Sequence, residues 1–331
     1  MTKVSVIIPC YNEQNTIHLL LGAIYKQTFP LDDLEIIIAD GDSTDRTLEQ
    51  IHNFQESHKN IEILVVENKL QSIPAGLNSA LRASTGDFIV RLDAHSVPAE
   101  DYIALCINDL VDNKGQNVGG VWEIIPGCEG WVANSIATAA SHPFAVGDAR
   151  YRYSKQAGYV DTVPFGSYPR ELFDEIGYFD ETLLTNEDYE FNTRIRLSGG
   201  KIWFNPRIKS KYFARANFPS LAKQYWRYGF WKLRMLKRYP KTIRWRQALP
   251  PLFVAGIIFL ALTGIFFSMA WILLLFILSI YSLLLLIGSS PSAFRQKKFS
   301  LLVGVPLATA IMHVFWGSGF WNSLIKSMVG K

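Results

Sequence analysis

Acidic and polar side chains gather in four short segments of this 331-residue chain, and their types are those that bind cations or accept protons. Residues 9–13, 40–45 and 93–95 each follow a short apolar run, and the fourth segment is the pair Glu187 and Asp188. Carboxylates and imidazoles bind divalent cations and act as general bases, but acidic residues after strands and at helix starts also cap turns and helix ends. The residue types alone leave both interpretations open.

The apolar runs before these segments have the pattern of buried strands that alternate with amphipathic helices. Residues 4–8, 34–39, 61–66 and 88–92 are short and almost wholly apolar, and each is followed by apolar residues spaced as one face of a helix. Such strands predict a parallel sheet with helices on both faces. Because ligands of these sheets bind beyond the carboxyl ends of the strands, we expect the polar segments to converge on one edge.

The motifs that the chain lacks restrict how a nucleotide could be held. Neither GxGxxG nor GxxxxGK[ST] is present, so neither a dinucleotide fold nor a P-loop is supported.

The three cysteines, Cys10, Cys106 and Cys128, have no metal-type spacing and are not an even number, as a disulfide framework would need, which predicts a reducing compartment. The apolar run at 4–8 is too short for the hydrophobic region of a signal peptide, so we expect the front domain to stay in the cytoplasm.

Charge is distributed unevenly along the chain, although the formal net charge is only +4. All 29 Asp and Glu occur at or before Glu190, whereas 21 of the 33 Lys and Arg follow it. An acidic front part suits a domain that holds a cation, and a basic back part suits contact with phosphates or an anionic membrane surface. Nucleic acid is the rival partner, and we disfavour it because the basic residues adjoin apolar spans.

The last third of the sequence predicts a membrane anchor behind an interfacial segment. Basic and aromatic residues interleave over 217–247, as in helices that lie at a membrane surface. Three apolar spans of roughly 20 residues follow at 249–267, 270–287 and, interrupted by Gly, Pro and His, at 301–321. The positive-inside rule places the basic loop at 295–298 in the cytoplasm. We therefore predict a cytoplasmic front domain at 1–216, an interfacial segment at 217–247, and two to three transmembrane helices at 248–331.

Taken in order, the polar segments resemble glycosyltransferase family 2, a group with the GT-A fold. The resemblance covers roughly the first two thirds of the chain and rests on residues 5–13, 40–45, 76–80, 86–87, 93–95, 179–181 and 187–188. Within the family the chain looks most like the succinoglycan-type exopolysaccharide glucosyltransferases, on residues 91–95 and 142–147. The resemblance implies an α/β fold of GT-A type, a Rossmann-like and mostly parallel sheet with helices on both faces, followed by C-terminal transmembrane helices.

The resemblance assigns the nucleotide sugar to the segments that follow the first, second and fourth strands. It implies that the donor is contacted by Pro9, Tyr11, Asn12, Glu13, Asp40, Asp42 and Asp93. The competing interpretation makes Pro9 a strand terminator and Asp42 part of a turn or helix cap. For Asp40 we favour contact with the base.

A divalent cation is implied at Asp93 and His95, which occupy the position of the family's Asp-x-Asp. Such a cation stabilises the charge that grows on the departing diphosphate. Here His95 replaces the second Asp, and one carboxylate with one imidazole suits Mn²⁺ at least as well as Mg²⁺. The alternative is that Asp93 and His95 only cap a loop.

Asp188 matches the position of the family's general base, with Glu187 beside it. A carboxylate is needed to take the proton of the acceptor hydroxyl as it attacks, and direct attack inverts the anomeric centre. The alternative is that both acids stabilise a helix start. Further along, Arg227 is a weaker candidate for contact with the diphosphate or the acceptor, and an interfacial role is its alternative.

These assignments predict an inverting hexosyltransferase that moves a sugar from a nucleotide sugar, UDP-hexose, to a lipid-linked saccharide in polysaccharide biosynthesis. The expected partners are the donor, a polyprenyl-diphosphate-linked acceptor and membrane lipids, without nucleic acid. The expected location is the inner, or plasma, membrane, as a multi-pass protein with its catalytic domain in the cytoplasm. Two alternatives stay open: a polyprenyl-phosphate glycosyl synthase, and a non-catalytic scaffold that binds nucleotide sugars at the membrane.

Overall fold

The computed structural model describes residues 2–329, which form two compact units. The first unit contains the residues up to Glu123 together with Tyr153–Tyr212, and the second contains Ile124–Arg152 together with the residues from Phe213 onwards. The segment Ile124–Arg152 joins the second unit because its apolar residues pack with the C-terminal helices.

Within residues 2–329, nine strands form one mixed sheet. They are β1 (Val4–Cys10), β2 (Leu34–Asp40), β3 (Glu62–Glu67), β4 (Phe88–Arg91), β5 (Ser96–Pro98), β6 (Asn117–Ile125), β7 (Gly158–Tyr159), β8 (Ser167–Pro169) and β9 (Ile202–Phe213). The order is β3-β2-β1-β4-β8-β6-β9-β5, with β7 paired to β9. The first four strands pair in parallel, and the pairs β4–β8, β6–β8, β5–β9 and β7–β9 are antiparallel.

Helices surround the sheet and make up most of the second unit. They are α1 (Ile17–Tyr25), α2 (Thr47–Ser57), α3 (Ile73–Ala83), α4 (Tyr102–Val111), α5 (Trp131–Ala140), α6 (Pro143–Val146), α7 (Glu171–Ile176), α8 (Glu187–Leu197), α9 (Phe218–Arg238), α10 (Trp245–Thr263), α11 (Ser268–Gln296) and α12 (Leu301–Met328). Short 3₁₀ turns occupy Leu31–Asp33, Arg150–Arg152 and Pro240–Thr242.

The core of the first unit lies between the parallel strands and their helices. All residues of β2 are buried, as are most of those in β1, which matches their almost wholly apolar sequences. On α1 the buried residues recur at helical spacing, at Ile17, Leu20, Leu21 and Ile24. The predicted α/β arrangement of buried strands and covering helices is therefore present.

The parallel register brings the polar segments to one edge of the sheet. Cys10 pairs with Asp40 at the ends of β1 and β2, and Ile7 pairs with Arg91 at the end of β4. Residues 11–13, 41–45 and 92–95 therefore leave the sheet side by side, as the strand pattern predicted.

Three helices of the second unit are long and apolar enough to cross a membrane: α10, α11 and α12. The third span, interrupted by Gly and Pro in sequence, is one continuous helix of 28 residues. Two of the glycines permit close helix packing, because a Cβ on Gly229 of α9 would clash with the backbone of Trp316 and one on Gly319 with that of Trp226. One glycine in each helix, Gly229 in α9 and Gly319 in α12, therefore allows α9 and α12 to pack closely.

Candidate functional site

The loop after β2 is shaped by the carboxylate of Asp40. This buried side chain accepts hydrogen bonds from the Ser43 backbone N–H at 2.9 Å and from the Ser43 hydroxyl at 2.6 Å. Asp42 between them is exposed and has φ of 64°, a left-handed conformation that Asp tolerates. Asp40 therefore fixes the shape of this loop at the position where the nucleobase was predicted.

The loop after β1 is hydrogen-bonded to the loop after β2. The Asn12 N–H donates to Ser43 Oγ at 2.9 Å, and Asn12 Oδ1 accepts from the Thr44 N–H at 2.8 Å. Tyr11 beside it is 50% exposed, and Pro9 forms part of β1 in register with Ala39. The two loops thus make one cradle, and the exposed ring of Tyr11 suits stacking on a base.

Glu13 connects this cradle to the segment after β4. Its Oε1 lies 3.0 Å from Nδ1 of His95, and the Thr16 hydroxyl donates to its other oxygen. The His95 side chain is more exposed than that of Glu13, at 42% against 23%. A carboxylate on one ring nitrogen fixes the orientation and the tautomer of an imidazole.

Arg91, the last residue of β4, connects the same segment to α8. Its side chain is buried, and its Nη2 donates to Glu187 Oε1 at 2.8 Å and to Asp93 Oδ1 at 3.2 Å. Burial of the guanidinium opposes its charge, but the carboxylates of Asp93 and Glu187 outweigh burial and raise the pKa of Arg91. One guanidinium therefore joins the proposed cation ligand to the helix that carries the proposed base.

Asp188 occupies the second position of α8 and is partly buried. Its Oδ1 accepts from the Tyr189 N–H at 2.6 Å. Burial, followed by the negative charge of Glu187, raises the pKa of Asp188 to about 6, and the charge of Arg91 opposes this rise. A carboxylate whose pKa approaches neutrality is a stronger base than an ordinary one and is still ionised at pH 7.

Glu187 makes an ion pair in addition to its place in the first turn of α8. The residue that precedes α8 is Asn186, with φ of 70°, and the Glu187 carboxylate is bonded to Arg91. Glu187 therefore acts as the ion-pair partner of Arg91.

The donor atoms at this edge fit a divalent cation that is shared with a ligand. Among residues 2–329, no three His, Cys, Asp or Glu side chains are grouped so that they could hold a metal ion by themselves. Asp93 offers a carboxylate and His95 an imidazole, and Mg²⁺ or Mn²⁺ sites commonly complete such partial sets with phosphate oxygens. The positive charge of Arg91 faces three carboxylates, those of Asp93, Glu187 and Asp188. The excess of negative charge also favours a cation.

The sequence patterns predicted no role for two residues whose contacts hold the site together. Arg91 was distinguishable as the only charged residue in the four-residue strand β4. Asn78 of α3 is buried, and its amide donates to the Phe179 carbonyl at 2.9 Å and accepts from the Phe179 N–H at 2.9 Å. It also donates to Glu181 at 2.7 Å, so Asn78 fixes the segment that leads into α8. Arg227, by contrast, lies on α9 in the second unit.

Residues 5–177, more than half of the chain, match the family described as Glycosyl transferase family 2. Curated relatives align along nearly the whole chain. A dolichyl N-acetyl-alpha-D-glucosaminyl phosphate 3-beta-D-2,3-diacetamido-2,3-dideoxy-beta-D-glucuronosyltransferase of Methanococcus voltae is 28% identical over 329 residues, which cover 98% of each protein. The succinoglycan biosynthesis protein ExoA of Rhizobium meliloti is 26% identical over 326 residues, which cover 98% of this chain and 96% of ExoA.

A solved structure confirms the fold. The mannosyltransferase PcManGT from Pyrobaculum calidifontis, solved in complex with GDP-Man and Mn²⁺, superimposes with a TM-score of 0.63 at 18% identity, over 100% of this chain and 88% of PcManGT. The predicted GT-A type of the fold is therefore confirmed. Together with the family match over residues 5–177, this establishes that the chain belongs to glycosyl transferase family 2 and is a glycosyltransferase.

Proposed function

We propose that this glycosyltransferase moves a hexose from a nucleoside diphosphate donor, UDP-hexose, to a hydroxyl group of a lipid-linked saccharide, with inversion at the anomeric carbon. The observation that carries the proposal is the placement of Asp188. This carboxylate has a raised pKa and is the neighbour of Glu187, which Arg91 joins to Asp93. A base for the acceptor and a ligand for the donor's cation thus belong to one connected group of side chains.

In the proposed reaction, a lone pair of the acceptor oxygen forms the new bond to the anomeric carbon. The bond from that carbon to the diphosphate oxygen breaks, and its electrons leave with the nucleoside diphosphate. The acceptor proton passes to Asp188, and attack from the face opposite the leaving group inverts the configuration.

The residues after β1 and β2 would hold the donor. Asp40 and Asn12 fix the two loops by hydrogen bonds to Ser43, and Tyr11 offers an exposed ring for the base. Asp93 and His95 would hold a divalent cation, which would stabilise the negative charge of the departing diphosphate. The Mn²⁺ and GDP-Man in the structure of PcManGT support this part of the proposal.

A general base at Asp188 favours a hydroxyl acceptor over a phosphate acceptor. A phosphate oxygen is ionised at neutral pH and needs no base, whereas a sugar hydroxyl must lose its proton during attack. The names of the relatives from M. voltae and R. meliloti, one for a dolichyl phosphate-linked saccharide and the other for succinoglycan biosynthesis, support a lipid-linked or polysaccharide acceptor. We therefore propose a saccharide acceptor rather than the lipid phosphate itself, and we propose, as the sequence predicted, that polyprenyl diphosphate carries it.

The three apolar helices and the basic residues near them support a multi-pass protein of the plasma membrane. We propose a cytoplasmic catalytic domain, an interfacial segment at 217–247 that includes Arg227, and an anchor formed by the helices that follow. Sided labelling of the Lys297→Cys variant tests this orientation. Label that reaches residue 297 only after the membrane is permeabilised supports it, and label that reaches it from outside contradicts it.

The function is tested by transfer assays on the full chain with a panel of UDP-hexoses and GDP-mannose. The acceptor is a short saccharide on polyprenyl diphosphate, with polyprenyl phosphate as the matched control, and each pair is assayed with Mn²⁺, with Mg²⁺ and with chelator. We expect metal-dependent transfer to the saccharide and an inverted anomeric centre in the product by NMR. Transfer to polyprenyl phosphate alone, or retained configuration, would contradict the proposal.

A further inference from the structure

The guanidinium of Arg91 uses its hydrogen-bonding capacity unevenly. Both of its ion pairs, to Glu187 at 2.8 Å and to Asp93 at 3.2 Å, run through Nη2. Its Nε and Nη1 are buried and have no hydrogen-bond partner among the described residues. An arginine retained only to clamp two carboxylates would use parallel bonds from two nitrogens, which are the stronger arrangement.

A buried charge with unpaired donors is costly for a fold. Each buried donor without an acceptor loses its hydration, and a buried ion pair is often no more stable than an apolar replacement of similar volume. The position of Arg91 at the end of an apolar strand is therefore weak as a stability device. Its contacts point to function, because Asp93 is a proposed cation ligand and Glu187 adjoins the proposed base.

We infer that Arg91 is an internal counter-cation. In the free enzyme it forms ion pairs with Asp93 and Glu187, so that the divalent cation binds only together with the nucleotide diphosphate. The inference rests on the proposed function, because it concerns the cation assigned there to Asp93 and His95. Arg91 is a positioning residue in this account and touches neither donor nor acceptor.

The physical basis is the charge of the carboxylates that face Arg91. Asp93, Glu187 and Asp188 all act on this one guanidinium, and without it they would form a negative cluster that attracts divalent cations. Arginine stays protonated in proteins, so its charge is permanent. A cation that approaches Asp93 meets the positive charge of Arg91, and the negative charge of a bound diphosphate compensates for that repulsion.

The experiment is a Mn²⁺ titration followed by electron paramagnetic resonance, on the full chain in lipid nanodiscs, with and without UDP or GDP. The variants are Arg91→Gln and Arg91→Met, which remove the charge, and Arg91→Lys, which keeps it. Arg194→Gln is the matched control, because Arg194 lies on α8 but pairs with Glu190 and with the backbone carbonyl of Ile176 at the end of α7. Circular dichroism and thermal melting report whether each variant is folded.

We expect the parent to bind Mn²⁺ at least tenfold more tightly with nucleotide diphosphate than without it. Arg91→Gln and Arg91→Met should bind Mn²⁺ without nucleotide at least tenfold more tightly than the parent, while Arg91→Lys and Arg194→Gln should resemble the parent. If Arg91→Gln and Arg91→Met fold but bind Mn²⁺ without nucleotide no more tightly than the parent does, the inference is overturned. Failure of both neutral variants to fold would also overturn it, since Arg91 would then be a structural ion pair. A parent that binds no Mn²⁺ even with nucleotide diphosphate would instead contradict the proposed function.

Discussion

Nδ1 of His95 lies 3.0 Å from Oε1 of Glu13, so that a residue after β4 is oriented by a residue after β1. The resemblance to the family implies Glu13 as a contact of the nucleoside, and in the structure its carboxylate also contacts His95. An imidazole that donates from Nδ1 to a carboxylate presents the lone pair of Nε2 to a cation. We therefore expect Glu13 to support the proposed cation site by holding the His95 ring.

Replacement of Glu13 should weaken cation binding. Glu13→Ala removes the acceptor that orients the His95 ring, and loss of such a partner typically lowers metal affinity about 10–100-fold. Glu13→Gln should be milder, because its amide oxygen still accepts a hydrogen bond. The measurement is Mn²⁺ affinity in the presence of nucleotide diphosphate. Equal affinities in Glu13→Ala and the parent would show that the contact has no part in cation binding.

Replacement of His95 by Asp should change which metal supports transfer. His95→Asp restores an oxygen ligand in place of nitrogen, which favours the harder cation Mg²⁺. We expect the ratio of transfer rates with Mg²⁺ and Mn²⁺ to rise, with activity retained. A ratio that stays at the parent value would indicate that His95 is not a ligand.

The transfer rate should depend on pH through Asp188. Burial and Glu187 raise the pKa of Asp188 to about 6, and only the ionised carboxylate accepts a proton. At saturating donor and acceptor, the rate should therefore fall as pH is lowered through about 6 and should level off above pH 7. If the chemical step limits the rate and the rate does not change between pH 5 and 8, the assignment of Asp188 as the base is contradicted.

Glu35 stabilises the opposite end of the sheet from the site. Although burial opposes its charge, hydrogen bonds from Ser5, Thr85 and Lys3 lower the pKa of Glu35 to about 2. The carboxylate therefore contributes stability above its unfolded pKa of about 4.3, and this contribution is lost as pH falls through about 2. Glu35→Gln should cost roughly 2 kcal/mol at pH 7 and progressively less below pH about 4.

Glu62→Gln is the matched control for this change. Glu62 also faces Lys3, at 3.5 Å, but its side chain is 65% exposed, so its removal should cost little. Thermal melting of both variants in detergent across pH gives the comparison. Equal losses for the two variants, or a loss for Glu35→Gln that does not depend on pH, would refute the assigned role of Glu35.

The parallel half of the fold was predictable from sequence, because β1, β2 and β4 are short apolar runs followed by polar residues. Their shared edge follows from parallel pairing, as the register of Cys10 with Asp40 confirms. The antiparallel half was not predictable in the same way. Strands such as β7 and β8 have two and three residues, which is too short for a period-2 pattern.

The contacts between residues within the site could not be predicted from the sequence either. Arg91 and Glu187 are 96 positions apart, and nothing in either local pattern indicates that they meet. The same holds for Asn78 and Phe179, which are 101 positions apart. A single sequence shows which residues follow strands, but such long-range pairs depend on the packing of elements that the periodicity does not specify.

The most direct test of the account compares Asp188→Asn with Glu187→Gln in transfer and in donor binding. Asn keeps the size of Asp but cannot accept a proton, so turnover of Asp188→Asn should fall on the order of 10²-fold or more. Its affinity for the donor should remain at the parent value, because the donor is held by the loops after β1 and β2. Glu187→Gln should lose less, since Glu187 serves Arg91 rather than the proton. Near-parent turnover in Asp188→Asn, with or without loss in Glu187→Gln, would contradict the assignment of Asp188 as the base.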